Sequence, residues 1–389
     1  MRREELGTAL VFTMSGVVQA SWMSRLPAVR DRLHLSLADL GLALLVLGAG
    51  SLLSMPTAGR LCRWYGSRWV AWAGTGMACL ALAGLGAVAS ARWLVLVLFA
   101  FGVATGAWDT AMNVQGVAVE AVTGRHRMPV FHGCWSAGTL AGAGAGILAA
   151  RLHLSLSRHF TAAGLVAAPL CALGVTTFVN ERRLPPAAGR HAAGRHSAAP
   201  RAASRRLVLI AVLTLCGATV EGAASDWLAI YLRDVRSATH AHAALGYTLF
   251  VMAMAAGRFA AARAHDRIGR AATVRAGALF AAAGIGICVL VPVPVTAYLG
   301  AVVWGLGICV VFPAALSASG HASGSSDAVA AITTVGYSAS LVAPPLIGTL
   351  AQSVGLARAL LVLPALAAVV VLLAPVVGPG TEPATRSAS

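Results

Sequence analysis

An all-α integral membrane protein, with twelve transmembrane helices in two pseudo-symmetric six-helix bundles, is the fold class that three features of this 389-residue chain predict. The composition is 58% hydrophobic and only 11% charged, whereas soluble domains carry about 25% charge. Apolar runs of about 20 residues, the length that crosses a ~30 Å hydrocarbon core, recur from end to end. The second half also repeats the register of the first.

The predicted spans cover residues 6–24, 39–59, 69–89, 93–117, 131–150 and 159–179, then 207–231, 243–264, 274–291, 295–318, 328–350 and 356–377. The first follows a basic start, as a leader peptide does. No small-residue cleavage site closes it, and Ser24-Arg25-Leu26-Pro27 runs on towards another span, so it is read as a retained helix. Residues 181–206, rich in Arg, Ala, Gly and Pro and without periodicity, read as a basic linker between an N-terminal bundle (1–180) and a C-terminal bundle (207–378), with a tail over 379–389.

The formal net charge is +16, carried by Arg without any Lys. In a soluble chain that would suggest nucleic acid. Here the arginines sit in short connections, where they act as orientation signals instead. The linker residues Arg182, Arg183, Arg190, Arg195, Arg201, Arg205 and Arg206 place both termini in the cytoplasm. Arg60, Arg63 and Arg68 after the second span, Arg125 and Arg127 after the fourth, and Arg263, Arg267, Arg270 and Arg275 after the eighth agree. The first outer loop, with Arg25, Arg30 and Arg32, is the exception. The seven cysteines show no metal-ligand spacing, so neither a metal nor a disulfide is expected. No phosphate-binding Gly-x-x-x-x-Gly-Lys loop exists to supply energy by hydrolysis, and no nucleophile-base pair marks an enzyme.

The repeat is read from a shared shift. Trp22 stands as far before Leu40-Gly41 as Trp227 does before Leu245-Gly246; further on, Phe101-Gly102 falls on Trp304-Gly305 and Gly133 on Gly336. Two such units in parallel are the plan of a secondary transporter, whose solute site lies near the bilayer midplane.

The loop Gly59-Arg60-Leu61-Cys62-Arg63-Trp64-Tyr65-Gly66-Ser67 resembles the signature G-x-L-x-D-R-x-G-R of the major facilitator superfamily, with Arg63 in the acidic position. The second copy, Asp266-Arg267-Ile268-Gly269-Arg270, keeps the acid, both arginines and the glycine. In that family the loop holds cytoplasmic helix ends together. The stretches Asp109 to Gln115, Phe131-His132-Gly133 with Trp135-Ser136, Glu221 to Trp227, and Ala343 to Gly348 resemble the MosC/YbjJ-like branch, related to fucose:proton symporters. The resemblance implies a proton-coupled carrier of a small polar, sugar-like solute in the inner membrane, working as a monomer without a cofactor. An exporter driven by protons and a solute sensor without transport are the alternatives.

The candidate site residues follow from polar groups inside apolar runs, where an acid is costly. Asp109, Asn113, Gly116 and Glu120 lie within about 60° on one helical face. Asp109 is read as a proton or solute carboxylate, with a structural hydrogen-bond bracket as the other reading. Glu221 shares a face with Thr214, Gly217 and Ser225; it either binds solute or proton, or pairs with an inner-facing Arg. Gln19 of the stripe Ser15-Gln19-Trp22, Trp135, and Tyr337 with Thr333 complete the set of amides, hydroxyls and rings suited to a sugar. Trp22 and Trp227 read equally as interfacial anchors. Arg25 and Asp226 form a candidate outer gate pair, against the reading of two separately solvated charges. Gly138, Gly142 and Gly146, four residues apart, read as a close-packing seam.

Overall fold

The computed structural model describes residues 2–124, 127–181, 201–323 and 326–378, and these are all helix and connecting turns. Most of the expected linker (182–200), the tail (379–389) and Arg125 lie outside the described residues. The helices are α1 (Arg3–Ser24), α2 (Leu26–Leu33), α3 (Leu37–Tyr65), α4 (Ser67–Ala87), α5 (Ala91–Thr123), α6 (Met128–Arg151), α7 (Leu156–Thr176), α8 (Arg201–Asp234), α9 (His240–Ile268), α10 (Arg270–Leu290), α11 (Pro294–Ile308), α12 (Val311–Ser323), α13 (Ser326–Val354), α14 (Leu356–Leu360) and α15 (Val362–Leu373), closed by a 3-10 turn at Ala374–Val377. Among the described residues eleven helical segments are long and apolar enough to cross a membrane, counting α11 with α12 and α14 with α15 as one each. The expected fifth span is α6, 24 residues long with five glycines, which is not among those eleven.

Three departures from the predicted elements have local causes. The first outer loop is not a loop but contains α2, which Pro27 starts and His34, at φ 51°, ends. The tenth span breaks between α11 and α12 around Cys309, and the twelfth breaks at Leu361. In each case a proline follows, Pro313 or Pro364, and a proline ring clashes with the carbonyl four residues before it, here Cys309 or Leu360.

By packing, the described chain forms two compact units. One joins Met1–Ala192 to Ala223–Met252 and Leu341–Ala359; the other comprises Ala193–Gly222, Ala253–Ser340 and Leu360–Ser389. Within the first, α1 lies along α6. A side chain at Gly138, Gly142 or Gly146 would collide with Thr13, Val17 or Ser24 of α1, so the four-residue glycine seam is what lets the two backbones meet. Within the second, Gly300 and Gly307 of α11 meet Gly284 and Gly277 of α10 in the same way.

The repeat register is visible in burial. Trp22 and Trp227 are 1% and 0% exposed and belong to the interior, which corrects the interfacial-anchor reading of both. Large apolar side chains such as Leu53, Leu80, Leu165, Phe259 and Leu372 are exposed instead, as a lipid-facing surface requires.

Candidate functional site

The polar stripe of α5 divides into two parts with different work. Its lower part is structural. Glu120 accepts from the backbone N–H groups of Arg127, at 2.5 Å, and Met128, at 2.9 Å, satisfying donors at the start of α6. Gly116 packs against Met128 and Phe131 of the same helix. The upper part is unspent. Asn113 Nδ2 donates to the Asp109 backbone carbonyl at 2.9 Å and is also a hydrogen-bonding neighbour of the Asp109 carboxylate. No described cation lies in salt-bridge range of Asp109, which sits about 27 Å and 21 Å along the helix from its two ends. It is half-buried and points about 100° away from the exposed stripe of Leu96, Phe99 and Val117. On α1, Gln19 donates to the buried Ser15 hydroxyl at 3.1 Å. Trp135, half-buried on α6, uses its carbonyl to accept from Thr139 at 3.0 Å and lies where Gly16 lets α1 approach.

Glu221 is placed differently. Arg258 of α9 donates from an Nη to its Oε1 at 3.1 Å. The sequence reading did not single out Arg258, although an arginine inside the eighth apolar run was the signal for it. Tyr337 of α13 is 42% exposed.

The anticipated pair of Arg25 and Asp226 is not formed. Arg25 is buried and donates to the Leu154 carbonyl after α6 at 3.0 Å. Asp226 lies eight residues back from the end of α8, about 12 Å deeper. The charges that meet lie nearer the surface. Arg30 pairs with Asp234, and Asp31 receives Arg233 at 3.2 Å and His240 at 3.6 Å. Arg32 caps the end of α4 by donating to the Gly86 carbonyl at 2.6 Å. At the same end of the first unit Gly41 meets Pro344, and Gly348 meets Leu37 and Trp227, so α3 and α13 cross backbone to backbone.

The two signature loops share one backbone device. Gly66 (φ 94°) and Gly269 (φ 80°) each stop one helix and start the next, a conformation that glycine alone enters freely. In the first copy Arg63 is exposed, Gly59 lies within α3, and the Ser67 N–H is taken by the Glu181 carboxylate. Buried Gln115 sits 3.2 Å from the Ser67 hydroxyl. In the second copy Asp266, Arg267 and Arg270 make no ion pair among the described residues. Burial and the nearby Arg270 lower the pKa of His265, while Asp266 opposes them. Glu5, 1% exposed, is held by Arg127 at 3.0 and 3.4 Å.

A model of the Major Facilitator Superfamily matches residues 7–344. The chain belongs to that superfamily. A facilitator of this length has relatives along nearly all of it: an uncharacterised MFS-type transporter of Yersinia pestis is 32% identical over 351 residues, covering 90% of this chain and 89% of the relative. The membrane protein MosC of Rhizobium meliloti is 30% identical over 367 residues, 93% and 87% of the two chains. Among solved structures, the nucleoside transporter NupG superposes with a TM-score of 0.73 at 14% identity, covering 96% of this chain and 98% of that one. A bacterial homologue of the human lysosomal transporter Spinster, in an inward-facing and occupied conformation, gives 0.73 at 14% identity, with 96% and 95% covered. The protein is therefore a multi-pass secondary transporter of the all-helical facilitator fold.

Proposed function

We propose that this facilitator is a proton-coupled symporter of a small polar, sugar-like solute, working by alternating access as a monomer in the inner membrane with both termini in the cytoplasm. The observation that carries the reading is the contrast among the acids inside its spans. Glu221 has a cationic partner, whereas Asp109 and Asp226 have none among the described residues, and Asp109 lies farther from the nearer end of its helix. An acid without a counter-charge, deep in a bilayer, is stable only if it can take up a proton, and a proton carrier needs that property. Asn113, Gln19 and Trp135 in the same half supply amides and a ring for a hydroxylated solute. Similarity to MosC supports placing the chain in that branch.

The crossed charges of Arg30, Asp31, Arg233 and Asp234, with His240 beside Asp31 and the α3–α13 crossing beneath them, act as the outer gate in its closed state. In this role they replace the pair of Arg25 and Asp226.

A thermal-stabilisation screen identifies the solute, and uptake into proteoliposomes under an imposed pH gradient then tests the reading. Accumulation driven by the gradient is expected. Extrusion would make the protein an antiporter, and binding without flux a sensor. Gradient-driven accumulation that persists in folded Asp109→Asn overturns the proton role.

A further inference from the structure

We infer that Arg258 is a solute-binding residue and that the transported solute carries a carboxylate, which takes the place Glu221 occupies on the guanidinium in this structure. The inference rests on the transporter reading above and narrows its solute class.

An arginine in an apolar span is among the costliest placements in a membrane protein. Arg258 stands about 27 Å along α9 from His240, and Glu221 about 20 Å along α8 from Asp234. Both are turned away from lipid. On α8 the exposed apolar stripe is Val208, Val212 and Leu215, about 150° around the helix from Glu221. On α9 it is Met252 and Phe259, about 110° from Arg258. Even so the two side chains are 24% and 34% exposed, so the opening that reaches them is on the faces that do not meet lipid.

The bond between them is incomplete. Arg258 gives Glu221 a single hydrogen bond, at 3.1 Å, and its Nε is buried with no acceptor. A guanidinium presents a fork of parallel donors that a carboxylate can fill with two bonds. A pair built only to hold α8 against α9 would be expected to use that fork. The arrangement instead leaves the cation neutralised but available, with an internal carboxylate standing where an external one fits. Nothing else described in this unit lies within ion-pairing distance of Arg258. A neutral polyol gains no comparable advantage from displacing Glu221, since it would leave two charges unmatched in low dielectric.

The test is equilibrium binding to the full-length protein in detergent, with gluconate and galacturonate as probes and sorbitol and galactose as their uncharged counterparts. The acids are expected to raise the melting temperature and the uncharged sugars are not. Arg258→Gln should weaken acid binding by about tenfold or more, Arg258→Lys should retain part of it, and Glu221→Gln should tighten it by removing the internal competitor. Should Arg258→Gln not fold, the Glu221→Gln and Arg258→Lys arms decide. Stabilisation by the uncharged sugars alone, or acid binding unaffected in Arg258→Lys and Glu221→Gln, would overturn the assignment. No proton gradient enters these measurements, so acid binding that fails with gradient-driven flux intact removes this inference only; binding present with flux absent removes the symport reading instead.

Discussion

Arg30 of α2 is ion-paired with Asp234 at the end of α8, and its neighbour Asp31 is paired with Arg233 beside Asp234. Two consecutive Arg-Asp dipeptides, one from each half of the sequence, thus meet crosswise. The arrangement explains why an outer loop carries arginine against the orientation bias. Arg30 is balanced by Asp234, Arg32 donates to the Gly86 carbonyl, and Arg25 is held by one bond to the Leu154 carbonyl, with its Nε and Nη1 buried without an acceptor. Such half-exposed pairs are each worth at most about 1 kcal/mol, enough together to shift a two-state gate but not to lock it. Reversing one charge, as in Arg30→Asp or Asp234→Arg, should increase labelling of a cysteine placed in the cavity by an impermeant reagent added outside. The double reversal should bring labelling back towards the parent level; if both single reversals and the double behave alike, the pair is not a gate.

Beneath the charges the seal is steric. A Cβ on Gly41 would lie 2.6 Å from the Pro344 carbonyl oxygen, and one on Gly348 would lie 2.5 Å from that of Leu37. Backbone cannot yield as a flexible side chain can. Gly41→Leu and Gly348→Leu should therefore favour the outward-open state, with stronger outside labelling and transport reduced by about tenfold or more, since overpacking costs roughly 1–3 kcal/mol. Unchanged labelling in both variants would show that this crossing opens by another route.

Glu5 offers a stability prediction independent of transport. It is buried, makes two bonds to Arg127 and accepts from the Arg2 N–H at 3.1 Å. Glu5→Ala removes the carboxylate that Arg127 pairs with and should destabilise the first unit, read as a lower melting temperature in detergent. Glu5→Gln, which keeps hydrogen-bonding capacity, should cost less. Equal losses would mean that charge is not what Arg127 requires.

The fold was legible because its signals are summed over many residues: length, apolarity and basic connections place each span without reference to any single contact. The glycine seam of α6 was legible for the same reason, as a spacing. The site was only partly so. Asp109 stands out in sequence because any acid in an apolar run does, whereas its lack of a cationic partner among the described residues is a fact of three dimensions. Arg258 has the same kind of signal, an arginine inside an apolar run, but its partner Glu221 lies 37 residues away on another helix, and only the 3.1 Å contact joins the two. The Arg25 and Asp226 pair failed on depth, a coordinate that counting along two helices gives poorly when α2 intervenes.

The first signature loop gives the last prediction. With Arg63 in the acidic position, near the end of α3, that copy lacks the signature's loop acid. The Ser67 N–H, at the start of α4, is instead taken by the Glu181 carboxylate, while buried Gln115 contacts the Ser67 hydroxyl from α5. A carboxylate at a helix start satisfies an orphan donor and opposes the positive end of the dipole. It is here supplied by the residue that follows the sixth span, so this replacement ties α4 to the chain leaving α7. Glu181→Ala should therefore lower stability by about 1–2 kcal/mol. Placing an acid at the signature's acidic position, Arg63→Asp, in the Glu181→Ala background should recover part of the loss if the two acids serve the same helix end. No recovery, with Arg63→Asp harmless alone, would mean that Glu181 acts on the departing chain and not on α4.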